Sequence, residues 1–136
     1  MGFTMSRKIL LPFALALATL STMAIAADRD VAVRFKPGTS SAAYDDTIKG
    51  YDTVNYYLEA AAGQRLLVDF GPDETSCYFN ILAPGDGETL VDGSAIEPDG
   101  LVLPDSGKYR VVVYLMRATA RRGTACTYAI DFRITD

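Results

Sequence analysis

Beyond residue 30 the apolar positions recur with a period of two rather than 3.6, the pattern of half-buried strands. Val31, Val33 and Phe35 alternate in a first run that Pro37 and Gly38 end. Residues 44–49 form a second, more polar run, and Val54, Tyr56, Leu58 and Ala60 alternate in a third. Ala62 and Gly63 then turn the chain into Leu66, Val68 and Phe70, which predicts a hairpin. Gly71, Pro72 and Asp73 stop that strand. Residues 77–82 read as a fifth strand, the proline-glycine loop 83–87 follows, and weaker strands are expected near 89–91 and 100–103.

The clearest alternation lies in residues 109–132, YRVVVYLMRATARRGTACTYAIDF. Tyr109, Val111, Val113 and Leu115 share one face of a first arm, and Cys126, Tyr128, Ile130 and Phe132 share one face of a second. Arg117, Arg121 and Arg122 crowd the connection, where Gly123 permits a sharp return. The pattern predicts a long hairpin with a cationic tip. No stretch after the N-terminal segment shows sustained helical periodicity. About eight or nine short antiparallel strands, with turn signals roughly every 8 to 12 residues, predict an all-β fold. A single β-sandwich is preferred to a closed barrel because several strands have only one apolar face.

Residues 1–26 read as a secretory signal peptide, and residues 27–136 as the domain. Arg7 and Lys8 form a basic start, residues 9–20 an apolar run, and Ala24-Ile25-Ala26 a small-residue cleavage motif. A membrane anchor is the competing reading, but the run is short and interrupted by Pro12, Thr19 and Ser21, and spanning takes about 20 apolar residues. No cysteine follows the motif directly, which argues against a lipid anchor. A periplasmic location and no membrane association after cleavage are expected.

The whole chain has 13 Lys and Arg against 17 Asp and Glu. Cleavage removes two of the bases and no acid, leaving 11 against 17 and a net charge of -6. Such a domain is poorly suited to nucleic acid or anionic lipid and better suited to a basic partner. The charge also isolates the arginine tip as a local exception.

Export permits a disulfide between Cys77 and Cys126, each in phase with core-facing neighbours. The bridge is favoured over a pair of buried thiols packing as small hydrophobes. Two cysteines and no histidine cannot fill a zinc shell. Asp86, Glu88 and Asp92 in a glycine-containing loop give only a weak calcium signal, with no EF-hand spacing. No metal or cofactor is expected. The lack of histidine also removes the usual nucleophile-activating triads. The carboxylate pairs Asp45-Asp46 and Asp73-Glu74 are adjacent, so on a strand they point to opposite faces and do not make a glycosidase pair. An enzyme is not expected.

Three segments, residues 41–66, the loop after Tyr78 and Phe79, and residues 103–122, occur in this order. They carry IKGY at 48–51, SGKY at 106–109 and an Arg-x-x-x-Arg spacing at Arg117 and Arg121. Together they resemble the periplasmic proteinaceous lysozyme inhibitors of Gram-negative bacteria, most of all the type directed at g-type (goose-type) lysozyme. The resemblance covers nearly the whole of residues 27–136. It implies a β-sandwich that inhibits by inserting loops into the enzyme's substrate cleft, with Tyr51, Arg117 and Arg121 as contacts and lysozyme as partner. Inhibition of i-type lysozyme is compatible with the same pattern.

Related inhibitor types use the serine and tyrosine of an SGxxY motif. Here the motif is one residue shorter, so Ser106 and Tyr109 are secondary candidates. Arg122 joins them, because an extended loop would turn it away from Arg121. Tyr109 is also read as a core residue, and Tyr56, Tyr57, Tyr78 and Phe79 as core and its border. The chemistry agrees with the resemblance: guanidinium groups bind carboxylates bidentately and stay charged, and Arg and Tyr are frequent interface anchors. Two other readings remain open. One is a secreted β-sandwich module that binds carbohydrate or peptide, the other a purely structural envelope protein. Either a monomer or a homodimer paired through edge strands is compatible with the pattern.

Overall fold

The structure, a computed structural model, describes residues 2, 12, 14, 16–20 and 25–136. The basic start of the signal segment, part of its apolar run and Ala24 of its cleavage motif lie outside the described residues. Among the described residues nine strands run β1 (Asp28–Ala32), β2 (Ser41–Lys49), β3 (Thr53–Ala60), β4 (Arg65–Pro72), β5 (Cys77–Leu82), β6 (Thr89–Val91), β7 (Leu101–Val102), β8 (Gly107–Leu115) and β9 (Ala125–Thr135). One short helix, α1 (Arg117–Arg121), interrupts them between β8 and β9. The strands form a five-stranded sheet in the order β1-β3-β8-β5-β6 and a four-stranded sheet in the order β2-β9-β4-β7. The all-β sandwich expected from the alternation is the observed architecture.

The inward faces are those the alternation named. Tyr109, Val111, Val113 and Leu115 of β8 and Val54, Tyr56 and Leu58 of β3 are buried from the first sheet. Cys126, Tyr128, Ile130 and Phe132 of β9 meet them from the second. The pairing, however, differs from the expected one at three points. β8 and β9 are not two arms of a hairpin: each is an inner strand of a different sheet. The same holds for β3 and β4, whose turn at Ala62 and Gly63 carries the chain across the sandwich. In addition, β1 runs parallel to β3, with Asp28 opposite Thr53 and Ala32 opposite Tyr57, so the sandwich is not wholly antiparallel. Apolar alternation specifies which face is buried but not which neighbour lies alongside, and that is the physical source of all three differences.

Two interactions tie the sheets together through the core. Cys77 at the start of β5 and Cys126 on β9 form a disulfide across a sequence separation of 49. The hydroxyls of Tyr56 (β3) and Tyr128 (β9) share a buried hydrogen bond at 2.8 Å. Burial raises the pKa of both phenols above the usual tyrosine range; the shared bond opposes the rise at Tyr56 and adds to it at Tyr128. At the open side, Arg29 on β1 ion-pairs with Asp46 at 3.0 Å and donates to the Thr47 carbonyl of β2, also at 3.0 Å. That contact joins the edges of the two sheets.

Replacing both cysteines by alanine should cost roughly 4 kcal/mol of stability, the loop-closure value for a loop of this length, read as a lower denaturation midpoint in urea. Tyr128→Phe alone strands a buried hydroxyl and should cost about 1–3 kcal/mol, whereas Tyr56→Phe with Tyr128→Phe should cost less than the two single changes added together. A raised phenol pKa favours the folded state fully below the ordinary tyrosine pKa of about 10 and loses that contribution as pH rises above it. Stability should therefore fall in alkali, and fall less steeply in the double phenylalanine variant; equal slopes would remove these two residues as the cause.

Candidate functional site

At one end of the sandwich three connections meet: β2 to β3 through Gly50 and Tyr51, β4 to β5 through residues 73–76, and β8 to β9 through α1. Their register explains the meeting. Lys49 at the end of β2 pairs with Ala125 at the start of β9, and Val54 near the start of β3 pairs with Val113 near the end of β8.

The connection expected to be an extended basic loop is folded into α1. Arg117 and Arg121 stand four residues apart on it, and so on one face, while Thr119 and Ala120 are buried beneath. The helix has no side-chain N-cap and no acidic residue in its first turn, and five residues are too few for a helix to persist alone. Tertiary contacts hold it. The Met116 amide donates to the Ser76 carbonyl at 2.9 Å, and the Gly50 amide donates to the Thr124 carbonyl at 2.9 Å. The Ser76 hydroxyl, 2.6 Å from that of Thr119, also donates to Glu74 Oε1 at 3.0 Å. Since Ser76 has one hydroxyl proton, Thr119 is the donor in the shared bond. Cys77 and Cys126 close the disulfide just behind this network.

Gly50 has φ +62, a left-handed conformation, and a Cβ placed there would stand 3.4 Å from the Ala120 carbonyl oxygen. The left-handed backbone that favours glycine at this position of IKGY turns the chain into Tyr51 next to the end of α1. Tyr51 itself is 55% exposed. It shares a shallow groove with Lys49, Asp52, Ala120 and Arg121. Arg117 and Arg121 are exposed, and among the described residues neither has an ion-pair partner. Met116, 50% exposed, adds an apolar side chain immediately before α1.

Tyr51, Arg117 and Arg121 thus share one end of the molecule. The secondary candidates do not all join them. Ser106 precedes β8 at the opposite end, where its hydroxyl accepts from the Ala62 amide at 2.9 Å. Tyr109 is fully buried, and its hydroxyl donates to the Asp105 carbonyl at 2.6 Å. It is a core residue that braces the entry to β8 and presents no surface to a partner, which corrects its place among the contact candidates. Arg122 lies just past α1, where its guanidinium reaches the Thr119 hydroxyl at 3.5 Å. Strand alternation had no means of finding Met116, Asp52 or Thr119. The alanines and arginines of residues 117–121 are good helix formers, but five residues are too few to signal a helix by themselves.

Gly50→Leu and Gly63→Leu separate strain from packing. Both positions have positive φ, but only Gly50 faces another loop within 4 Å. Each change should cost about 1–2 kcal/mol from the left-handed backbone, with Gly50→Leu costing more and displacing the backbone amide resonances of residues 117–123. If the two variants are equally stable and the helix resonances do not move, the loops are not packed as described.

No family model matches the chain. An inhibitor of g-type lysozyme from Escherichia coli (strain K12) is 35% identical over 125 residues, covering 88% of this chain and 92% of that protein. The crystal structure of Aeromonas hydrophila PliG, a periplasmic lysozyme inhibitor of g-type lysozyme, superimposes with a TM-score of 0.72 at 36% identity, over 82% of this chain and 100% of that one. The Salmonella Typhimurium PliG structure does so with a TM-score of 0.68 at 31% identity, over 79% and 98%. These relatives are inhibitors rather than enzymes, in keeping with a chain that contains no histidine. With the sandwich, the order of its motifs and this identity across nearly the whole domain in agreement, the chain belongs to the family of periplasmic inhibitors of g-type lysozyme.

Proposed function

We propose that this protein acts in the periplasm as a non-covalent inhibitor of g-type lysozyme, and that it blocks the substrate cleft with Tyr51, Arg117 and Arg121. The observation that carries the reading is the exposure of these three side chains together at one end of a rigid sandwich. A lysozyme cleaves glycosidic bonds with carboxylic acid side chains in an open cleft. Arg117 and Arg121, projecting from one face of α1, offer paired guanidinium forks to such carboxylates. Neither must first break an internal ion pair among the described residues. Tyr51 adds a flat, amphipathic ring of the kind that anchors interfaces.

The charge distribution supports a basic partner. An acidic body steers a basic enzyme at long range, while the cationic tip selects the negative cleft at contact. The location follows from the periplasmic relatives and from the N-terminal segment's signal-like pattern.

A cell-wall turbidity assay with g-, i- and c-type lysozymes tests the reading. Stoichiometric loss of g-type activity is expected, with weaker or no effect on the other two. Arg117→Ala and Arg121→Ala should each weaken inhibition by about 2 kcal/mol, or roughly 30-fold, without lowering the unfolding midpoint. Undiminished inhibition by both variants would sink the mechanism but not the activity; a correctly folded protein that inhibits none of the three enzymes would sink both.

A further inference from the structure

The turn that carries Tyr51 is tied to the place where the chain enters β1. The Ala27 backbone nitrogen donates to Asp52 Oδ1 at 2.8 Å, and the Lys49 amide donates to Oδ2 of the same carboxylate at 3.1 Å. The Asp52 amide returns to the Lys49 carbonyl at 3.1 Å, and the Thr53 amide donates to the Ala27 carbonyl at 2.9 Å. A single carboxylate therefore staples the Gly50-Tyr51 turn to Ala27. Ile25 and Ala26 form one side of the groove that Tyr51, Asp52 and Arg121 also line. Ile25 is 91% exposed, so it lines the groove from the solvent side.

We infer that cleavage between Ala26 and Ala27 completes the inhibitory site: the new Ala27 ammonium clamps Asp52 and holds the Tyr51 turn, and the loss of Ile25 and Ala26 opens their side of the groove beside Tyr51 and Arg121. The inference rests on the proposed lysozyme-contact role of this end and on the expected signal cleavage. Hydrolysis of the Ala26–Ala27 peptide bond consumes one water. It leaves a carboxylate on Ala26 in the leader and an amine on Ala27, which takes up a proton at neutral pH.

The donor to Asp52 changes with that step. In the precursor it is a neutral amide N–H; afterwards it is an ammonium, so the bond to the Asp52 carboxylate becomes an ion pair as well as a hydrogen bond. The nine strands of the described residues all lie between Asp28 and Thr135, so the cleaved chain keeps both sheets. Lys49 and Arg121 are the other cations bordering the groove, and neither side chain is bonded to the Asp52 carboxylate among the described residues. Asp52 is thereby a positioning residue, acting on the partner through Tyr51.

The test compares protein beginning at Ala27 with a free amine, the same protein acetylated at that amine, and protein beginning at Ile25, each also carrying Asp52→Asn. Inhibition of g-type lysozyme and hydrogen exchange of the amides of residues 50–53 are measured for all of them. The free Ala27 protein should inhibit about tenfold more strongly than the acetylated and Ile25 forms, with slower exchange. Acetylation should change neither property once Asp52→Asn is present. The inference is overturned if the three N-termini inhibit and exchange alike, if acetylation has the same effect with and without Asp52, or if sequencing of the exported protein finds another first residue. If no form inhibits, the lysozyme reading itself fails, and the exchange rates alone decide whether the amine clamps the turn.

Discussion

The passage of the chain from one sheet to the other between Leu115 and Ala125 is the constraint on which the rest of the molecule depends. β8 and β9 supply inner strands to opposite sheets, so their connection must climb the roughly 10 Å between packed sheets at the end of the core. Backbone polar groups at such a crossing need partners. A helical turn satisfies several of them internally, and its Thr119 and Ala120 face fills the end of the core. The same geometry leaves the opposite face outward, and that face carries Arg117 and Arg121. The proposed contact end is a by-product of how the sandwich closes.

Around this crossing the fold is reinforced more heavily than local propensity requires. The disulfide joins the beginnings of β5 and β9. The bond between the Tyr56 and Tyr128 hydroxyls spans the same two sheets deeper in the core, and the Ser76–Thr119 contact docks α1 onto the neighbouring turn. The disulfide and the Ser76–Thr119 contact act at the end that presents the arginines, so the side chains offered to a partner project from a stiff base. A preorganised contact surface loses less conformational freedom on association, which suits the proposed occupation of a substrate cleft.

Electrostatics divides the molecule in a way that composition alone would hide. The chain carries an excess of acid, yet the end built from α1 gathers three arginines with Lys49 beside them. Asp46, by contrast, is drawn into the ion pair that closes the sheet edges, and Asp52 accepts two backbone bonds beneath the Tyr51 turn. Several acids thus serve the scaffold, while the exposed cations of α1 remain available for contact.

The sequence by itself determined the face that each strand buries, the sandwich class and the exposed arginines. A period of two with Val, Ile, Tyr and Phe on one side has only one low-energy use. Cys77 and Cys126 stand in phase with that inward face, so their meeting in the core was legible as well. Which strands are neighbours was not: the turn at Gly63 and the connection after Leu115 look like hairpins locally, and each instead changes sheet. Nor was α1 legible, because a five-residue helix without a cap has no local reason to persist. Its existence depends on Ser76 and Gly50 arriving from distant parts of the chain to bond Met116, Thr119 and Thr124. Only the tertiary structure decided that Tyr51 would meet the arginines, and that Tyr109 and Ser106 would not.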